Sequence, residues 1–308
     1  MATKHTMLGS VNLVRGLEPI VTHWGVRGSF VTSDNRIGGH TTCISIEYGN
    51  QILIIDGGSG LIDAGNYIMK EYVAAKKDFE ITFLHSHMHK DHRDGLPSFT
   101  PFYLPNLNFT FIGGRHDDNN GRLWTVEENL REEVFNGPSF PVPWKVIAPR
   151  CTFRVFEPGD RFTIPCAIGG DIKVLVLPMY HPNIAYGFRI EIGGRVIAVT
   201  LDHEQQMDEK GNPTELDRNI LLLWDEADLA VTEVQYTVEK YLKCVGWGHI
   251  SIGSAARHAR LARPKEISFT HHDPNAGFDE VSFNRAQLQE RSGITTNFAF
   301  QGNTITVC

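Results

Sequence analysis

Apolar and polar positions along this chain follow two different periods, and the change of period marks where strands give way to helices. Residues 42–48 and 51–55 are rich in β-branched side chains, and Gly49-Asn50 between them tolerates the positive φ of a tight turn. The pattern predicts a hairpin that ends at Asp56-Gly57-Gly58. It returns at 186–192 and 195–201, joined by Gly193-Gly194 and ending at Asp202. Two hairpins thus each deliver a carboxylate at a strand end. Between them the sequence predicts strands over 81–84, 108–112 and 172–178 and a polar helix over 126–135. Later come a helix over 217–224, a strand over 229–234, a helix from Ser251, a strand over 266–270 and a helix over 283–291. The Ser251 helix sets Ile252, Ala255, Ala256, Ala259 and Ala262 on one face, and Pro264 stops it. Strands interleaved with helices in this way predict two packed sheets covered by helices.

Composition changes that picture little. With 308 residues, 41% hydrophobic and 21% charged, the chain can bury a substantial core, and a single catalytic domain over 1–308 is expected. Residues 113–149 open with Asp and Asn and carry four prolines, so they read as an insertion or lid. The net charge of −7 argues against a broad nucleic-acid surface. A small-molecule substrate is expected, and it can be anionic if bound divalent ions invert the local charge. A homo- or hetero-oligomer is compatible with the sequence. The five cysteines, Cys43, Cys151, Cys166, Cys244 and Cys308, are widely spaced and form no Cys-x-x-Cys pair, so unpaired thiols and a cytoplasmic setting are expected. The first twenty residues show no apolar leader core, and no stretch approaches the ~18 apolar residues of a membrane span.

The chemistry concentrates at His87-Met88-His89-Lys90-Asp91-His92, directly after the apolar strand 81–84. Alternating His87 and His89 can aim two imidazoles the same way, and Asp91 and His92 offer ligands to a second ion. Imidazole and carboxylate together suit zinc, manganese or iron in a catalytic site with open positions. The stretch HSHMHKDHRDG resembles the signature of the metallo-β-lactamase superfamily, with Lys90 where an aromatic or apolar residue is common. The resemblance implies an α/β fold, an αββα four-layer sandwich with two divalent metal ions at one edge of the sheets. It also implies three further ligands at later strand ends: His181, a bridging Asp202, and His271 in preference to its neighbour His272. His85 is read as structural. The resemblance spans roughly residues 20 to 275.

Two other stretches resemble the phosphodiesterase-like branch, which includes tRNA 3′-processing endonucleases and cyclic-phosphate phosphodiesterases. One is His23-Trp24-Gly25-Val26-Arg27-Gly28-Ser29 with Gly38-Gly39-His40-Thr41-Thr42-Cys43, whose glycines let backbone approach a ligand closely. The other is Gly246-Trp247-Gly248-His249, although Ile250-Ser251 stands where Ser-Thr is usual. The resemblance implies that His249 protonates the leaving oxygen, oriented by Glu233, while Asp91 binds an ion and orients the attacking water. Trp247 is read as a packing aromatic. A metal-dependent hydrolase of a small phosphodiester or cyclic phosphate is the reading preferred here, ahead of an ester, lactone or ether hydrolase and of a non-catalytic sensor or partner subunit.

Overall fold

The computed structural model describes residues 4–7, 18–34, 36–118, 120–206 and 214–308. The leader reading of the first twenty residues therefore falls mostly outside the described residues. Two mixed sheets face each other. The first has eight strands in the order Lys4–Met7, Asn303–Thr306, Ile20–Gly25, Cys43–Tyr48, Gln51–Ile55, Glu80–His85, Phe109–Gly113 and Cys151–Val155. The second has seven: Arg161–Ile164, Ile172–Met179, Ala185–Ile192, Arg195–Thr200, Leu229–Glu233, Glu266–Thr270 and Thr295–Phe298. Both predicted hairpins form, with Tyr48 opposite Gln51 and Ile192 opposite Arg195.

Alternating side chains of each central strand enter different layers, which is why these strands are buried on both faces. Ile44, Ile46, Leu53 and Ile55 meet Val174, Phe188, Ile197 and Val231 between the sheets. The outer face of the second sheet packs on Ile252, Ala255, Ala256 and Ala259 of the helix Ile252–Ala262, and on Ile220, Leu223 and Trp224 of Glu215–Trp224. Outside the first sheet, Ile54, Phe83 and Phe111 pack on Leu61 and Ile68 of the helix Leu61–Ile68 and on Phe99 and Phe102. The order is helix, sheet, sheet, helix, the αββα sandwich.

Local chemistry sets the helix ends. Ser251 accepts from Ser254 N–H as N-cap, and Arg263 at φ 53° ends that helix just before Pro264. The last long helix runs over Phe278–Ser292, starting earlier than 283 because Gly277 caps it and Asp279 and Glu280 favour its positive N-terminus. The helix predicted over 126–135 is shorter: Val126–Asn129 has a Thr125–Glu128 capping box and then widens into a π turn over Leu130–Val134.

Direction matters most for function. Glu80–His85 runs parallel to its neighbours Gln51–Ile55 and Phe109–Gly113, and Arg195–Thr200, Leu229–Glu233 and Glu266–Thr270 run parallel to one another. Ile172–Met179 shares their direction through two antiparallel pairings. The C-terminal ends of these strands emerge at one edge, where sheets of this kind place ligands.

Candidate metal centre

Four of those strands are followed by donors. His87, His89, Asp91 and His92 follow Glu80–His85, His181 follows Ile172–Met179, Asp202 follows Arg195–Thr200, and His271 follows Glu266–Thr270. The structure gathers all seven into two buried groups that share Asp202. In the first, His89 Nδ1 lies 3.0 Å from His87 Nε2 and 3.1 Å from His181 Nε2, and Asp202 Oδ2 lies 3.6 and 3.5 Å from the latter two. In the second, His92 Nε2 and His271 Nε2 are 3.2 Å apart. Asp91 Oδ2 is 3.4 and 3.2 Å from them, and Asp202 Oδ1 is 3.3 and 3.1 Å away.

These spacings test whether the residues fit metal ions. Donors bonded at ~2.0 to 2.1 Å in a tetrahedron are separated by about 3.3 to 3.4 Å, and both groups cluster around that edge length. Asp202 Oδ1 is buried with no hydrogen-bond partner, a costly state for a carboxylate that a cation would relieve. The donor set therefore fits a dinuclear metal site.

Surrounding groups fix which ring nitrogen faces each group. Asp56 accepts from Ser86 N–H (2.8 Å) and Ser86 Oγ–H (2.5 Å), and Ser86 Oγ in turn lies 3.1 Å from His87 Nδ1. Asp56 also accepts from His92 Nδ1 at 2.7 Å. His181 Nδ1 donates to the Gly248 carbonyl at 2.9 Å, and the Gln235 side-chain amide sits 2.7 Å from His271 Nδ1. Each ring thus presents its other nitrogen inward. Burial keeps His87 and His181 neutral, the latter down to about 4, which leaves lone pairs for a metal. Burial alone would do the same to His92, but Asp202, Asp91 and Asp56 outweigh it and raise its pKa.

The placement of the other residues follows. His271, at φ 51°, points into the second group, whereas His272 donates from Nε2 to the Ala299 carbonyl at 2.7 Å and burial pushes its pKa to about 3. His85 stands outside both groups, its ring parallel to those of the stacked Phe83–Phe111 pair. Lys90 is exposed and leaves the centre untouched. The Gly25–Ser29 turn serves the site through its backbone: Ser29 N–H donates to Asp91 Oδ2 at 2.6 Å, and a Cβ on Gly28 would lie 2.5 Å from the His271 ring. Buried Arg27 pairs with Asp34 at 2.7 Å and donates to the carbonyls of Gly38, Asp273 and Ala276, tying this turn to the His271 loop.

Glu233 is fully buried, not a solvated strand end, and both its oxygens lie 3.1 Å from His249 Nδ1. The His249 ring sits between the two groups, its centroid 5.6 Å from His181 and 5.3 Å from His271. Burial opposes its charged form, but Glu233 prevails and lifts His249 to about 9. Trp247 contradicts the packing expectation: it is 64% exposed, because Gly246 and Gly248 at positive φ turn the loop outward around it.

Sequence reasoning missed the supports of this loop. Glu204, two residues past Asp202, accepts from Tyr241 OH, Gly246 N–H and Gly248 N–H at 2.8 to 2.9 Å. His203 and His258 both donate to Asp217 at 3.1 Å. Only a second carboxylate close behind Asp202 hinted at this, and acidic residues after a strand are common.

No family model matches the chain, and no curated protein matches it in sequence. Solved structures do match in shape. The metallo-β-lactamase fold protein YhfI from Bacillus subtilis superposes with a TM-score of 0.67 at 19% identity, covering 93% of this chain and 98% of YhfI. Unliganded yeast PDE1 gives 0.66 at 13%, covering 94% and 99%. The short form of human tRNase Z gives 0.59 at 15%, again covering 94% and 99%. The chain adopts the metallo-β-lactamase fold.

Proposed function

We propose that the chain is a metal-dependent hydrolase that cleaves a small phosphodiester or cyclic phosphate. The observation that carries this reading is His249, held by Glu233 on Nδ1 and lying between His181 and His271. With Nδ1 committed, Nε2 is the nitrogen that delivers a proton to a departing oxygen, and an alkoxide leaving a phosphodiester needs that proton.

His87, His89 and His181 would hold one ion and Asp91, His92 and His271 the other, with Asp202 bridging them. When bound, such a pair supplies Lewis acidity and lowers the pKa of water towards ~7. The chain's own groups do the rest. Asp56, Ser86 and the Gly248 carbonyl lock the imidazole tautomers, and Ser29 N–H fixes Asp91, which orients the attacking water. Glu233 holds the His249 ring in place.

The shared fold with tRNase Z, an RNase by name, supports phosphodiester chemistry. The net charge of −7 supports a small substrate over a polynucleotide. Purified protein should contain divalent metal and hydrolyse bis-p-nitrophenyl phosphate, with zinc the first metal to assay. Metal-loaded protein that hydrolyses p-nitrophenyl acetate but no phosphodiester would transfer the reading to esters, and protein that takes up no metal would end it.

A further inference from the structure

Beside the first donor group lies a cavity of about 200 Å³, lined by His87 and His89 on one side and by His116, Asp117, Trp124 and Glu133 on the other. The second wall belongs to the segment between the strands Phe109–Gly113 and Cys151–Val155. An engineered apolar cavity of about 150 Å³ admits benzene, so this space holds one small organic group next to a substrate atom at the metal centre.

Its walls are chemically unfinished. His116 is 6% exposed, yet its buried Nε2 has no partner. Arg93 Nε and Asn183 Oδ1, also on the cavity wall, are buried and equally without partners. Arg93 Nε donates and Asn183 Oδ1 accepts, and in the neutral ring His116 Nε2 accepts as well, because its Nδ1 faces the Ile184 carbonyl at 3.5 Å. Native proteins rarely leave three such atoms around one space unless something else completes them.

Charge narrows the choice further. Asp117, Asp118 and Glu133 line the cavity against the single guanidinium of Arg93, which is itself tied to Asn129 Oδ1 at 2.5 Å. Such a wall repels a second anion and favours donors or positive charge.

We infer that this cavity binds the organic group of the substrate and selects a compact, hydrogen-bond-donating group that is uncharged or cationic and carries no second anionic group. The inference rests on the metal-dependent phosphodiester reading above, since the phosphoryl group is what sits at the donors. It makes His116 and Glu133 specificity residues.

The test is calorimetric titration of the metal-loaded protein with three phosphate monoesters of similar size: O-phosphoethanolamine, sn-glycerol 3-phosphate and 3-phosphoglycerate. The first two should bind at least ~10-fold more tightly than the third, since one unfavourable charge contact is worth about that factor. His116→Ala should weaken the first two and leave 3-phosphoglycerate within about threefold of its original Kd. Because that ring is buried, the exposed Glu133→Gln is the second variant, and it should weaken O-phosphoethanolamine selectively. Equal or tighter binding of 3-phosphoglycerate, binding of none of the three, or unchanged preferences in both variants would overturn the inference. Failure of the phosphodiester reading shows separately, as absent turnover of bis-p-nitrophenyl phosphate by protein that binds these ligands normally.

Discussion

The two sheets supply the candidate centre in different ways. The first contributes four of the seven donors from the single stretch 87–92, so their mutual placement is settled by one short turn after one strand. The second contributes His181, Asp202 and His271 from three strands, so theirs depends on the register of a whole sheet. Local donors are held by neighbouring groups such as Ser86 and Asp56. Distant donors are held by loops that tie strands together, with Glu204 and the Gly248 carbonyl as fasteners. The first half of the site is a motif and the second half is a consequence of the fold.

That contrast can be broken at Asp202, where the halves meet. Asp202→Ala removes an oxygen from both groups, so metal content measured by emission spectroscopy should fall for both ions. Turnover should drop by more than the ~10² to 10⁴-fold a proton donor supplies. Retained metal with full activity would refute the bridging role. His249→Ala comes next: rates on substrates with alkoxide leaving groups should fall ~10² to 10⁴-fold, rates on p-nitrophenyl esters far less, and metal content should hold. Equal losses on both substrates would make His249 a positioning residue.

Gly248→Ala sharpens the comparison from the side of the second sheet. Gly248 has φ 87°, and a Cβ there would lie 2.3 Å from His181 Nδ1, so the first ion should bind ~10 to 100-fold more weakly. Glu204→Gln removes the clamp's charge and one of its two acceptor oxygens, so the Gly248 loop that holds His181 loosens and the first ion should bind nearer ~10-fold more weakly. The smallest effect concerns stability. Burial lowers the His116 pKa to about 4, so the unfolded chain takes up a proton below about 6.5 that the folded chain refuses. Stability should therefore fall as pH drops from about 6.5 towards 4, by at most about 1.4 kcal/mol per pH unit from this residue. His116→Phe should flatten that slope in urea titrations, and an unchanged slope would assign the loss to other groups.

The same division explains what could be read from the chain. The hairpins ending at Asp56 and Asp202 were legible because β-branched runs flank glycine turns, and the Ser251 helix because its alanines recur on one face. The strands Ile20–Gly25, Arg161–Ile164 and Asn303–Thr306 gave no such signal, being short and mixed in polarity, and only pairing with neighbours makes them strands. Four donors could be named from the 87–92 run itself, and the other three only because its resemblance to the metallo-β-lactamase superfamily implies ligands at later strand ends. The roles of Glu204, Asp217 and the cavity atoms of Arg93, His116 and Asn183 could not, since each depends on loops meeting across the molecule. Trp247 shows the limit most clearly, because aromatic character says nothing about which way two flanking glycines will turn it.

The strand Asn303–Thr306 pairs with Ile20–His23, within the sheet that carries the 87–92 stretch. That insertion makes folding wait for synthesis. At ~5 to 20 residues per second, the early strands leave the ribosome well before the strand that completes their hydrogen bonding. Ile20–Gly25 meanwhile has one edge unpaired, the condition under which strands find partners in other chains. A nascent chain stalled short of residue 303 should accordingly be rich in aggregates and in chaperone contacts, and emergence of residues 303–306 should be what converts it.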